Sequence, residues 1–195
     1  MIGKLVQFIK PALLAIVIIL MLQVGGLWGG VSFLGNTALM KTGMLDARPE
    51  PSRTSPVFDY NFSIKDLKGN KISFDQFKGK VIFLNLWATW CGPCRAEMPD
   101  IQELYGDLPK DSIVFVMLSI DRDSDKEKIV RYINGNGFTF PVYQPTGYLT
   151  KQLSVPSIPT TFIISKDGKI AMKEVGTTHF NTPKFKTFIN DLAAK

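Results

Sequence analysis

Cys91 and Cys94 are the only cysteines in the 195-residue chain, and Gly92 and Pro93 separate them. Two thiols and the single histidine, His179, fall short of a four-ligand structural zinc site without carboxylates, which such sites rarely use. A purely structural disulfide between neighbours on one helical turn would close a tiny loop and remove little unfolded-state entropy. Redox chemistry remains. A dithiol this closely spaced can attack a disulfide with one thiolate and resolve the mixed disulfide with the other. Attack needs an accessible thiolate with a lowered pKa. A helix opening at Cys91 would supply it, because unpaired N–H groups and the positive dipole end favour the anion. Pro93 suits the first turn of such a helix, where its missing N–H costs nothing. Cys94, three residues on, would lie on the same side and one turn inward, placed to resolve. Being buried, it has less thiolate character and needs a base. Trp87 and Trp90 bracket the motif and offer an apolar platform for a substrate chain, a reading that competes with plain core or rim packing.

The surrounding pattern supplies the elements that must position these groups. Val81–Ala88 (VIFLNLWA) is a nearly continuous apolar run, as expected of a central strand covered on both faces. It leads into a helix over Cys91–Leu108. Ile113–Ile120 reads as a second buried strand and Asp125–Asn134 as a charged helix. A strand over Phe138–Tyr143 and a helical turn over Tyr148–Leu153 follow. Thr160–Ser165 and Ile170–Val175 form strands about an Asp167-Gly168 turn. An amphipathic helix over Thr182–Ala194, with Phe185, Phe188, Ile189 and Leu192 on one face, closes the chain. Ahead of all this, Phe62–Ile64 and Lys71–Phe74 predict a short antiparallel hairpin. The order is that of an α/β domain.

No charged residue occurs from Pro11 to Leu34. This run is long enough to span a bilayer, for which about 20 residues are needed. Its length and the lack of a clean small-residue cleavage site favour an uncleaved anchor over a cleaved signal peptide. Lys4 and Lys10 precede it, which places the N-terminus in the cytoplasm and the remainder outside. Residues 46–56 (DARPEPSRTSP) read as an extended, solvated linker. The expected organisation is an anchor over 1–35, a linker over 36–56 and a compact domain over 57–195. The net charge of +6 divides evenly between the first 48 residues and the rest. There is no basic stripe with interleaved aromatics, so nucleic acid is not an expected partner.

Trp87-Ala-Thr-Trp-Cys-Gly-Pro-Cys-Arg-Ala-Glu-Met-Pro, residues 87–99, closely resembles the thioredoxin superfamily, and most of all its membrane-anchored TlpA/ResA/CcmG branch. The resemblance covers residues 57–195 and implies a thioredoxin-like fold: a central mixed sheet flanked by helices, with an N-terminal hairpin extension. It implies an extracytoplasmic reductase held in the cytoplasmic membrane by one N-terminal helix. Its substrates would be disulfide-bearing exported proteins, with apocytochrome c as one candidate. Its electrons would come from a membrane donor of the CcdA/DsbD type. No cofactor beyond the Cys91–Cys94 disulfide and no metal is implied. In this fold the proline preceding the TTFIIS strand, here Pro159, follows a cis bond from Ile158 and faces the cysteines as a wall for substrate.

Two departures from cytoplasmic thioredoxin bear on proton transfer. Asn85 stands where thioredoxin keeps a buried aspartate, and it cannot titrate. Glu97 lies one helical turn beyond Cys94 on the same face. The ResA-like branch has a glutamate at this offset in its site, so Glu97 is the expected base or relay for Cys94, with burial raising its pKa. The competing reading is a surface glutamate. His179 is expected in a loop or cap, and the Asp121–Glu127 cluster in a solvated loop with Ser124 or Asp125 capping the next helix.

Three other functions compete. The same dithiol could serve as a net oxidase of folding proteins, since direction depends on potential. A copper chaperone or redox sensor would need ligands that only His179 could add. A peroxidase fits poorly, because Leu84 occupies the place of the proline such relatives carry upstream of the thiol.

Overall fold

The protein is described by a computed structural model covering residues 28–40, 42–49 and 55–195. Seven strands form one sheet in the order β2-β1-β5-β4-β3-β6-β7. They are β1 (Ser63–Asp66), β2 (Lys71–Ser73), β3 (Val81–Trp87), β4 (Ile113–Ser119), β5 (Val142–Pro145), β6 (Thr160–Ile164) and β7 (Ile170–Val175). β3, β4 and β5 run parallel, while β6, β7 and the β1–β2 hairpin are antiparallel to their neighbours. The helices are α1 (Trp28–Met40), α2 (Gly92–Asp107), α3 (Lys126–Gly135) and α4 (Pro183–Ala194). This is the thioredoxin-like α/β arrangement.

Strand β3 sits at the middle of the sheet with all seven residues buried, which explains its unbroken apolar run. Its alternation divides the core. Val81, Phe83 and Trp87 join the helices α2 and α4 through Met98, Ile101, Phe180, Phe185 and Ile189. Ile82, Leu84 and Leu86 face an aromatic layer of Phe58, Tyr60, Phe62 and Phe74 from the N-terminal extension. Phe62 and Phe74 stack with ring centroids 4.4 Å apart. The same alternation puts Asn85, the one polar residue of the strand, on the helix side. Thr182, expected as the first helical residue, is instead the N-cap of α4 and accepts the Phe185 N–H.

The structure departs from the sequence expectation in several elements. Residues 138–141 are not a strand. Pro141 cannot donate to a ladder, so pairing begins only at Val142, and Phe138 stacks on Phe140 instead. The expected helical turn over Tyr148–Leu153 narrows to Lys151–Leu153. Asp125 takes the N-cap position of α3, but its side chain caps nothing and pairs with Lys128 at 2.9 Å. Residues expected in a solvated linker are docked: Ala47 is buried and its N–H donates to the His179 carbonyl, while the His179 N–H donates to the Leu45 carbonyl.

The expected anchor falls mainly on residues 1–27, outside those described. Its last residues lie in α1, which packs along α2, with the Arg95 guanidinium 5.6 Å from the Phe33 ring centroid. Among the described residues no helix is long and apolar enough to cross a membrane.

Candidate functional site

Strand β3 delivers the chain to the mouth of α2. Cys91 is the N-cap of that helix in extended backbone, and its Sγ accepts the Cys94 N–H at 3.2 Å. An N–H aimed at sulfur at the positive end of a helix is what stabilises a thiolate. Cys91 and Cys94 are disulfide-bonded with Cα atoms 5.3 Å apart. In this oxidised form Cys91 is 5 % exposed and Cys94 fully buried, so the nucleophile is far less open than its chemistry led us to expect. Gly92 is buried and Pro93 half-buried, with the Pro93 carbonyl accepting the Thr177 hydroxyl.

Facing the pair, the Ile158–Pro159 peptide is cis. The Ile158 carbonyl oxygen lies 3.8 Å from Cys91 Sγ, so this peptide faces the cysteines. Trp90 is 65 % exposed beside the disulfide and offers an apolar face. Trp87 does not. Its ring is fully buried beneath the site against Tyr132, 5.9 Å between centroids, because it ends the helix-facing row of β3.

The turn between Trp87 and Cys91 is pinned from β4. Asp121, buried rather than solvated, accepts the Thr89 N–H and hydroxyl and the Ser119 hydroxyl at 2.7–2.8 Å. A carboxylate can enter the interior when its lone pairs are so filled.

Glu97 is 1 % exposed, which settles its location against the surface alternative. One oxygen accepts Asn85 Nδ2 at 2.8 Å and the other the Thr178 N–H at 3.2 Å. Burial pushes its pKa up to about 8, outweighing the two hydrogen bonds that favour the anion, while the nearby Asp100 charge adds to the rise. Asn85 Nδ2 also donates to Thr161 Oγ1, and its own Oδ1 has no partner among the described residues. Turning the amide over would present Oδ1 to a protonated Glu97, so Asn85 can serve both protonation states of its neighbour.

A model of the AhpC/TSA family matches residues 59–173, more than half of the chain. The chain belongs to the AhpC/TSA family. Within it, the chain is similar to the thiol-disulfide oxidoreductase ResA of Bacillus thuringiensis (strain Al Hakam), at 38% identity over 60% of this chain and 66% of that protein. It thus spans just under two thirds of that relative's length. It is similar also to the thioredoxin-like protein YneN of Bacillus subtilis (strain 168), at 37% identity over 60% and 69%. Among solved structures it resembles StoA from Bacillus subtilis, with a TM-score of 0.51, 30% identity, and 60% and 89% of the two chains covered.

This AhpC/TSA member carries site residues that the sequence reading missed. Asp100, one turn beyond Glu97 and 8 % exposed, accepts the Phe180 and Asn181 N–H groups at 2.7 and 3.1 Å and lies 2.5 Å from His179 Nδ1. Burial raises the Asp100 pKa, with His179 and the two N–H groups opposing. His179 is therefore more than a loop residue. A signal was available: Glu97 and Asp100 share the α2 face that also carries Cys94 and Ile101, a face too apolar to be solvated.

Proposed function

We propose that the chain is a membrane-tethered thiol–disulfide oxidoreductase that reduces disulfides in exported proteins on the extracytoplasmic side. The observation that carries this is the Cys91–Cys94 disulfide at the N-cap of α2 with the buried Glu97 one turn behind it. The similarity to proteins named thiol-disulfide oxidoreductases supports the reaction class. The uncharged run from Pro11 to Leu34 supports the location.

In the reduced protein the Cys91 thiolate, held by the Cys94 N–H and the helix end, attacks one sulfur of a substrate disulfide. The substrate's other sulfur leaves as a thiolate and takes a proton from solvent. Cys94 then gives its proton to Glu97 in the minority of molecules where it is ionised at neutral pH, and attacks Cys91 Sγ, releasing the second substrate thiolate. The substrate has gained two electrons and the protein has closed its disulfide. Glu97 is left protonated, the form its pKa of about 8 favours at neutral pH. A donor dithiol in the membrane, of the CcdA/DsbD type, reverses these steps: it attacks Cys91, and the departing Cys94 thiolate recovers the proton from Glu97. Trp90 and the Ile158–Pro159 wall receive the substrate chain. Apocytochrome c is one candidate among exported proteins with disulfides.

The test is a Cys94→Ser trap in the full-length chain expressed in membranes. Cys91 should then accumulate mixed disulfides with exported proteins, released by dithiothreitol. Adducts confined to cytoplasmic proteins would contradict the proposed side of the membrane.

A further inference from the structure

The loop after β7 grips two buried carboxylates on successive turns of α2. The Thr178 N–H donates to Glu97, while Phe180 and Asn181 N–H donate to Asp100. His179 Nδ1, between them, lies against the second Asp100 oxygen. The loop is also braced from its other side, where Leu45 and Ala47 exchange backbone hydrogen bonds with His179. Asp100 thus touches three consecutive residues of the loop, and Glu97 takes only the one N–H that precedes them. Neither side chain of the Asp100–His179 pair is used by the steps of thiol exchange.

We propose that Asp100 is a positioning residue for the thiol chemistry: by holding residues 179–181 it fixes the Thr178 N–H on Glu97, a role that rests on reading Glu97 as the base for Cys94. The Thr178 N–H is one of two donors that make the Glu97 carboxylate tolerable in an apolar site. Without it the anion is less stable and accepts the Cys94 proton less readily. The other groups facing Glu97 leave no substitute. Asn85 already donates to it, Thr161 is bonded to Asn85, and among the described residues no lysine or arginine shares its hydrogen bonds. Asp100 has a second, opposite influence, since its own charge disfavours a charged Glu97. The two influences separate by substitution: asparagine at 100 keeps an oxygen for the loop N–H groups and drops the charge, whereas alanine drops both.

The measurement is the rate at which a preformed mixed disulfide between Cys91 and a small aromatic thiol is resolved by Cys94 at pH 7. Asp100→Ala should slow this about tenfold, the effect of losing one hydrogen bond to a charged group, and Asp100→Asn should stay within about twofold of the parent. In a Glu97→Gln background Asp100→Ala should change nothing further, because the residue it positions is gone. His179→Ala removes one of the three contacts from a partly exposed side chain; it should slow the step about threefold in the parent and not in Glu97→Gln, and it carries the test if Asp100→Ala does not fold. Equal slowing by asparagine and alanine, or the same slowing with and without Glu97, overturns the role of Asp100 alone. A Glu97→Gln protein that resolves at the parental rate overturns instead the reading of Glu97, and the proposal with it.

Discussion

Cys91→Ser should lose at least about a thousandfold in disulfide reduction, because a neutral hydroxyl replaces the only group placed to attack. Cys91 alone has the Cys94 N–H on its sulfur and the Ile158 carbonyl opposite it. Cys94 is fully buried and cannot take over. The partner substitution differs in kind: Cys94→Ser should still attack once and then stall, giving a single stoichiometric burst of released thiol. Following thiol release from an aromatic disulfide separates the two. A burst from Cys91→Ser, or continued turnover by Cys94→Ser at the parental rate, would reverse the assigned roles.

Glu97→Gln should slow disulfide reduction by the protein and, at high pH, make its oxidised form more stable. The kinetic loss should fall on the resolving step and reach about a hundredfold, typical of removing a general base. The stability gain follows from where the proton sits. Folded, Glu97 keeps its proton up to about pH 8; unfolded, it releases it near its ordinary 4.5. Between these values the native state binds more protons than the unfolded one, so raising the pH withdraws stability. Below 4.5 both states are protonated and the group makes no difference; above about 8 both are ionised and the full cost of a buried charge is present. A shift of this size corresponds to roughly 5 kcal/mol. Glutamine has no charge to bury, so the variant should match the parent near pH 5 and exceed it near pH 9. Urea unfolding of the oxidised protein at the two pH values measures this. Equal stabilities at pH 9 would mean that Glu97 ionises freely in the folded protein. A group that costs stability and speeds the chemistry is the pattern expected of a functional site.

The parts of this site that are close in sequence were legible in it. The apolar run of β3, the proline in the first turn of α2 and the two-residue cysteine spacing are local features, and each local preference agrees with the fold. Glu97 was reachable because three residues on a helix fix a common face. The same face pointed Asp100 inward, but its contact with His179 was not legible, because it joins α2 to a loop after β7. Nothing in the residues around His179 points to a carboxylate 79 positions earlier. Asp121 was misread for a related reason. A run of charges looks solvated, and only the return of the Trp87–Cys91 turn to the end of β4 supplies the donors that bury its first member. Trp87 was ambiguous because a tryptophan before the motif can face the substrate or the core, and strand alternation decides for the core. Ala47 was lost to composition: a proline-rich stretch reads as extended, yet extended backbone is also what pairs with the His179 edge.

The reduction potential of the Cys91–Cys94 couple tests the account most directly. Equilibrated against dithiothreitol or glutathione buffers at pH 7, with the two states counted by thiol alkylation, the couple should lie on the reducing side, below about −200 mV and near the value of about −270 mV found for thioredoxin. A value near about −120 mV, that of a strong oxidant, would contradict a reductase and make the protein a donor of disulfides.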